Sequence, residues 1–214
     1  MTKRIRELCA LLPAGKTLAD VGCDHGYLAE YALKEDVCDK VYITDISPKS
    51  LKKAEVLLAA FIEAGRCVPV CTDGMQGLPP VEGAVIAGLG GEEIITILSR
   101  DGIPPKFLLQ PMKNAEKVRK FLVDSGCRIE RDFTFEDGKF YDVITGTNSG
   151  GDKYTEAELA FGRENLKKRP SAFLKKVRGE IEKLRLRLSA PDMGEESRRR
   201  LQKQLEALEK IDER

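Results

Sequence analysis

The chain has 214 residues, 42% hydrophobic and 33% charged, with 36 basic against 35 acidic residues and a formal net charge of +1. That length suits one ordinary domain plus an appendage, and the balanced charge argues against a disordered, self-repelling chain. No apolar run approaches the roughly 18–20 residues of a bilayer span, and no apolar leader core follows the first residues, which points away from membranes and secretion and toward the cytoplasm.

Residues 3–12 place Ile5, Leu8, Leu11 and Leu12 at helical spacing, and Pro13-Ala-Gly ends that helix. Apolar bursts and helical stretches then alternate. Strands are predicted over 17–21, 40–44, 67–71, 83–87 and 106–110, and helices over 27–34, 92–99 and 115–125. Ser47-Pro48 starts a further helix, with Ser as N-cap and Pro at the first position, and this helix is predicted to run unbroken to Ala64. Such alternation implies a parallel sheet covered on both faces. Strands over 127–136 and 140–147 follow, joined by the turn Asp137-Gly138, which makes the last pair antiparallel. Five alternating units closed by a hairpin give an α/β fold, a Rossmann-like methyltransferase sheet, whereas a dinucleotide dehydrogenase would continue with helix and parallel strand.

Past Asn148-Ser-Gly-Gly the composition shifts, so the expected division is a main domain over 1–152 and a helical domain over 153–214. One helix is predicted over 156–168. Two longer ones, 171–188 and 195–211, carry apolar residues at three- and four-residue steps on charged flanks and are separated by Pro191-Asp-Met-Gly. They read as an antiparallel coiled-coil hairpin, either protruding or lying along the main domain. Residues 1–150 hold 19 basic and 22 acidic residues, whereas 163–187 hold 10 basic and 3 acidic. The basic cluster Lys167, Lys168, Arg169, Lys175, Lys176 and Arg178 either tracks phosphates or is a solvated flank.

Six cysteines are scattered without a CxxC pair, and His25 is the only histidine, so neither a disulfide framework nor a zinc site is expected. The richest segment is Asp20-Val-Gly22-Cys23-Asp24-His25-Gly26-Tyr27, at the end of the first predicted strand. Asp45 ends the second, and Asp73-Gly74 follows the third. Asp and Gly end strands in many turns; here, carboxylates at three consecutive strand ends suggest a pocket. An acidic rim repels pyrophosphate and suits S-adenosylmethionine, which carries a sulfonium and an ammonium. After the fourth strand, Ala87-Gly88-Leu89-Gly90-Gly91 offers a floor poor in side chains, suited to a flat base or simply to a tight turn. The turn lacks the D/N-P-P-Y/F signature of many amino-methyltransferases.

DVGCDHGYLAEYA, TDISPKSLKKA, DGMQGL, AGLGGEEI and LLQPMKNAEKVRKFL stand in the order of the bacterial tRNA (adenine-22-N1)-methyltransferase family, TrmK, which the chain resembles over nearly its whole length. Leu89 replaces the Met of the family's A-G-M-G-G, and Met112 stands where its L-Q-P-N has Asn. The resemblance implies methyl transfer from S-adenosylmethionine to N1 of a tRNA adenine in the D-arm region. It places Asp20, Gly22, Cys23, Asp24 and Gly26 in the cofactor loop, Asp45 and Ile46 at the ribose, and Asp73 and Gly74 at the cofactor's adenine, with Ala87 and Gly88 beside them. His25, Tyr27 and Gln110 would serve at the transfer site, Gly90, Gly91 and Pro111 would border the target base, and the basic helices would contact tRNA. The protein is expected to need no metal and to act as a monomer or weak dimer. The competing readings are an S-adenosylmethionine-binding RNA-binding protein without activity and a methyltransferase of small molecules.

Overall fold

The structure is a computed structural model that describes residues 1–189 and 193–213. In chain order the elements are α1 (Lys3–Cys9), β1 (Gly15–Val21), α2 (Tyr27–Lys34), β2 (Cys38–Asp45), α3 (Pro48–Leu57), α4 (Ala59–Glu63), β3 (Cys67–Cys71), β4 (Gly83–Ala87), α5 (Gly91–Asp101), β5 (Lys106–Gln110), α6 (Ala115–Asp124), β6 (Cys127–Asp137), β7 (Lys139–Gly150), α7 (Glu156–Phe161), α8 (Arg163–Lys168), α9 (Ser171–Leu188) and α10 (Glu195–Asp212).

The seven strands form one sheet in the order β3-β2-β1-β4-β5-β7-β6. β1 to β5 are mutually parallel, and β7 runs antiparallel to both β5 and β6. Strand order turns back between β1 and β4. At that point the two outgoing turns diverge and leave a crevice at the carboxyl ends. The central strands are short and apolar because both faces are covered. Leu18, Val41, Ile43, Val85 and Leu108 enter one core, while Ala19, Val21, Ala84, Ile86 and Leu109 enter the other.

Two helices predicted as continuous are broken. The segment from Pro48 divides at Leu58, which is fully buried and leaves helical torsions. The segment 156–168 divides at Gly162, which takes φ +88° as the chain passes over Asp132; a Cβ there would lie 2.6 Å from Asp132 Oδ1. The terminal strands also run longer than predicted, pairing from Asp137↔Lys139 outward across Gly138.

A third apolar cluster joins α9 and α10 through Phe173, Val177, Ile181 and Ile211. The first turns of α9 rest on the β6–β7 end of the sheet, where Lys175 meets Glu136 at 3.0 Å and Lys176 meets Asp142 at 2.6 Å. The hairpin is therefore docked at its base. Of the predicted connection Pro191-Asp-Met-Gly, Pro191 and Asp192 lie outside the described residues. Between sheet and helices, Arg119 of α6 is 1% exposed. Its Nε donates to Asp132 Oδ1 at 2.9 Å, and its Nη1 donates to the Leu159 carbonyl at 3.2 Å. Among the described residues, no helix is long and apolar enough to cross a membrane.

Candidate active site

The crevice between β1 and β4 opens into a cleft of about 360 Å³ lined by Arg4, Gly22, Asp24, Asp45, Ile46, Ser50, Thr72, Asp73, Gly74, Ala87, Gly88, Leu89, Glu93 and Ile97. Four of these side chains are acidic, one is basic, and the floor is glycine and apolar. The size is that of a small-molecule site.

The first wall is the turn after β1. Gly22 takes φ +68° and Asp24 φ +46°, so two residues in the left-handed region fold the chain back on itself. Asp45, at the end of β2, organises this turn. One carboxylate oxygen accepts the Ser47 N–H at 2.8 Å, which starts α3, and the other accepts the Asp24 N–H at 3.3 Å. Ser47 then caps α3, as its sequence predicts. Asp24 itself reaches His25 Nδ1 at 2.7 Å and Lys53 Nζ at 3.6 Å.

Asp20 lies beneath the loop. It is 3% exposed, and its carboxylate accepts the Ala29 N–H at 3.2 Å. Burial pushes its pKa up to about 7; the Ala29 bond opposes this and Asp45 adds to it. Cys23 is buried nearby, and burial, with Asp20 and Asp45 adding to it, pushes its thiol far up, so it stays protonated and packs as a small hydrophobe. Gly26 caps α2 and packs on Ala54 and Leu58. None of Asp20, Cys23 and Gly26 lines the cleft; they support the loop that does.

The far wall is the turn after β3. Asp73 is bonded through its carboxylate to Arg100 Nη1 at 2.7 Å, and the Asp73 carbonyl accepts from Arg100 Nη2 at 2.8 Å. Thr44 Oγ1 donates to the Gly74 carbonyl at 2.8 Å. Arg100 and Thr44 thus fix this turn, and neither carries a signal in the sequence.

The floor joins two turns. Gly91 N donates to the Lys113 carbonyl at 3.0 Å, and Met112 N donates to the Leu89 carbonyl at 2.8 Å. A Cβ on Gly91 would sit 2.7 Å from the carbonyl oxygens of both Lys113 and Asn114, so only glycine allows the turns after β4 and β5 to approach. Gly90 is the N-cap of α5, and Pro111 is buried below.

The residues expected around the target base occupy two levels. His25 and Tyr27 are exposed in and just after the turn that follows β1, their rings parallel with centroids 5.5 Å apart. Met112 is exposed as well, at 47%. Gln110 is fully buried, its Oε1 accepting from Arg4 Nε at 2.8 Å and its Nε2 donating to Met112 Sδ at 3.4 Å. Arg4, on the first helix, is the site residue that sequence reasoning missed.

The basic cluster lies away from the cleft and is largely engaged. Lys168 meets Glu164, Lys175 meets Glu136, Lys176 meets Asp142 and Arg178 meets Asp212. Arg169 donates to the Ile211 and Asp212 carbonyls at the end of α10. Lys167 is exposed and has no such partner among the described residues. Asp142 is held below the usual carboxylate range: burial raises it, and Lys176 and Arg119 outweigh burial.

A sequence profile described as a methyltransferase domain matches residues 1–144. A Mycoplasma pneumoniae protein provisionally named a tRNA methyltransferase is 31% identical over 173 residues, covering 76% of this chain and 79% of that one. The chain belongs to the tRNA methyltransferase family. The tRNA (adenine(22)-N(1))-methyltransferase of Bacillus subtilis is 25% identical over 199 residues, covering 85% of this chain and 82% of that protein. Among solved structures, M. capricolum TrmK in complex with S-adenosyl-homocysteine superimposes with a TM-score of 0.90 at 22% identity, over 99% of this chain and 98% of that one. In this methyltransferase fold, then, the acid-lined cleft lies at the switch point of the sheet.

Proposed function

We propose that the chain transfers the methyl group of S-adenosylmethionine to N1 of an adenine of bacterial tRNA, at position 22 in the D-arm region. The observation that carries this reading is the cleft itself, lined by four carboxylates over a floor that includes Gly88 and Leu89, at the carboxyl ends of the parallel strands. The side chains suit the methyl donor. Asp45 and Asp73 are acceptors for hydroxyl and amino groups, and the acidic lining favours a ligand with two cationic centres. The resemblance to the B. subtilis enzyme supplies the substrate and the atom.

When bound, S-adenosylmethionine supplies an electrophilic methyl group, which adenine N1 accepts with its own lone pair. No side chain has to create the nucleophile, so the protein's work is orientation and electrostatics. Asp45 holds the loop after β1 and presents its carboxylate to the ribose. Asp24, Gly22 and Asp20 shape the loop, with Cys23 and Gly26 packed behind it, and Asp73, Gly74, Ile46, Ala87 and Gly88 border the cofactor. Gly90, Gly91 and Pro111 form the base floor, while His25 and Tyr27 offer a stacking edge. Because N1 lies on the pairing edge, the target base leaves its stack to reach them. The product adenine is cationic, and the acidic cleft stabilises its developing charge. Gln110 is buried and acts here through Arg4 and Met112 as a positioning residue.

Residues 1–152 form the catalytic domain in this reading, and the helical part over 153–214 is the tRNA contact, with Lys167, Lys168, Arg169, Lys175, Lys176 and Arg178 offered to phosphates once their intramolecular pairs open. The exposed Lys175–Glu136 pair is worth about 0–1 kcal/mol, so its exchange for phosphate is inexpensive, whereas Lys176 is held more firmly by the partly buried Asp142. The protein works in the cytoplasm, as a monomer or weak dimer, without a metal. The test is nucleoside mass spectrometry of unmodified bacterial tRNA incubated with protein and labelled S-adenosylmethionine. Labelled 1-methyladenosine is expected; label on another base, or none, overturns the reading.

A further inference from the structure

A second cavity, about 550 Å³ and larger than the cleft, lies between the turn after β5 and the base of the helical hairpin. Its apolar lining includes Met112, Phe140, Phe173 and Val177. Phe173 and Val177 are buried in the hairpin seam, whereas Met112 and Phe140 are 47% and 37% exposed. Its charged lining is Lys113, Arg119 and Lys176 against Glu116, Asp142 and Glu180. Asp142 is taken by Lys176 and Glu180 by Lys183. Lys113 makes no ion pair among the described residues, and Glu92, an acid that feels its charge, is bound by Lys117. Arg119 is 1% exposed, and its Nη2 takes no hydrogen bond among the described residues; the carboxylate of Asp142 stands 3.9 Å away. The groove adjoins the cleft: Met112 N donates at 2.8 Å to the carbonyl of Leu89, which lines the cleft.

The combination selects a class of occupant. An apolar segment of a protein would cover Met112 and Phe140 but bring no acceptor toward Arg119 and no charge for Lys113. A free phosphate would meet Lys113 and leave the ring bare. A nucleotide carries a flat face, acceptors on its base edge and a phosphate in one unit. On the reading that the cleft transfers a methyl group to RNA, the target base leaves its stack, and the nucleotide it parts from loses a stacking partner. We infer that the groove between the turn after β5 and the hairpin holds this second nucleotide of the RNA, with its base against Phe140 and Met112 and its phosphate on Lys113. The groove then offers the stacking that the RNA gives up, one turn away from the transferred methyl group.

The test compares the wild-type chain with Phe140→Ala, Phe140→Trp and Lys113→Gln, using unmodified bacterial tRNA in filter binding and S-adenosyl-homocysteine in calorimetry. Loss of one stacking platform corresponds to about a fivefold to hundredfold loss of affinity. Phe140→Ala is expected to bind tRNA about tenfold more weakly, Phe140→Trp to bind it as the wild type does, and Lys113→Gln to lower the salt dependence by about one phosphate contact. All three should bind S-adenosyl-homocysteine as the wild type does. Ultraviolet crosslinking of the wild type, read by mass spectrometry, should join Phe140 or Met112 to a nucleotide other than the methylated one. Unchanged tRNA affinity in Phe140→Ala overturns the inference and turns the groove over to a protein partner, and equal weakening in Phe140→Ala and Phe140→Trp overturns it too. A crosslink to the methylated adenine itself overturns it by making the groove the target-base site, with methyl transfer to tRNA intact. A wild type that binds S-adenosyl-homocysteine but no tRNA removes the RNA reading, and the inference with it.

Discussion

At the end of β2, Asp45 is held by two backbone N–H groups and faces no cation among the described residues, whereas along α9 each of Lys175, Lys176 and Arg178 meets a carboxylate of its own chain. The first arrangement retains negative potential for a ligand. The second uses charge to dock the hairpin on the sheet. The basic excess that the sequence shows between residues 163 and 187 is thus partly spent inside the molecule, while Asp24, Asp45 and Asp73, far apart in the sequence, converge with Glu93 on one cleft. Clustering along the chain and clustering in space differ here, and the spatial one decides what each charge can do.

The contrast can be broken most forcefully on the docking side. Arg119→Met leaves Asp132 buried and unpaired, and losing one partner of a buried pair costs about 3–5 kcal/mol. Urea unfolding followed by circular dichroism should show a loss of that size, while a change below about 1 kcal/mol would mean that the Tyr154 hydroxyl and the Arg163 N–H suffice to hold Asp132. On the cleft side, Asp45→Ala removes the acceptor of two backbone N–H groups and the proposed ribose contact. S-adenosylmethionine should bind roughly a hundredfold more weakly by calorimetry, with the melting temperature only modestly lowered.

Asp20 sharpens the comparison through pH. Its folded pKa, raised to about 7, lies above the ordinary carboxylate value, so the folded state holds the extra proton. The stability this contributes is full below about pH 4 and is lost as pH rises toward 7, by at most about 1.4 kcal/mol per pH unit. Asp20→Asn should flatten that slope in a pH series of unfolding curves; an unchanged slope would place the titration elsewhere. The smallest effect belongs to the exposed bases. Lys167→Gln with Lys175→Gln should change stability by less than about 1 kcal/mol and lower the salt dependence of tRNA binding by about two phosphate contacts, measured by filter binding. An unaltered salt slope would make this face a docking surface only.

Much of the fold is legible in the sequence because parallel strands buried on both faces are short apolar runs, and those at 67–71, 83–87 and 106–110 begin and end where the pattern does. The breaks at Leu58 and Gly162 are not legible. Apolar spacing continues across both, and the cause of the second, the carboxylate of Asp132 under Gly162, comes from a strand thirty residues away. The acids of the cleft announce themselves by standing at strand ends beside glycine. Arg4 does not: it is one more charged residue on a short helix, and only the sheet, by bringing Gln110 and Gly88 beneath it, gives it a place. The pairing of Lys176 with Asp142 is hidden for the same reason, since it depends on how α9 meets β7.

The central claim, that the acid-lined cleft is a methyl-donor site, is met most directly by titrating S-adenosyl-homocysteine and S-adenosylmethionine into the pure protein in a calorimeter. Saturable binding of both at one site per chain, weakened by Asp45→Ala, is the predicted result. Absence of saturation with either ligand would contradict it.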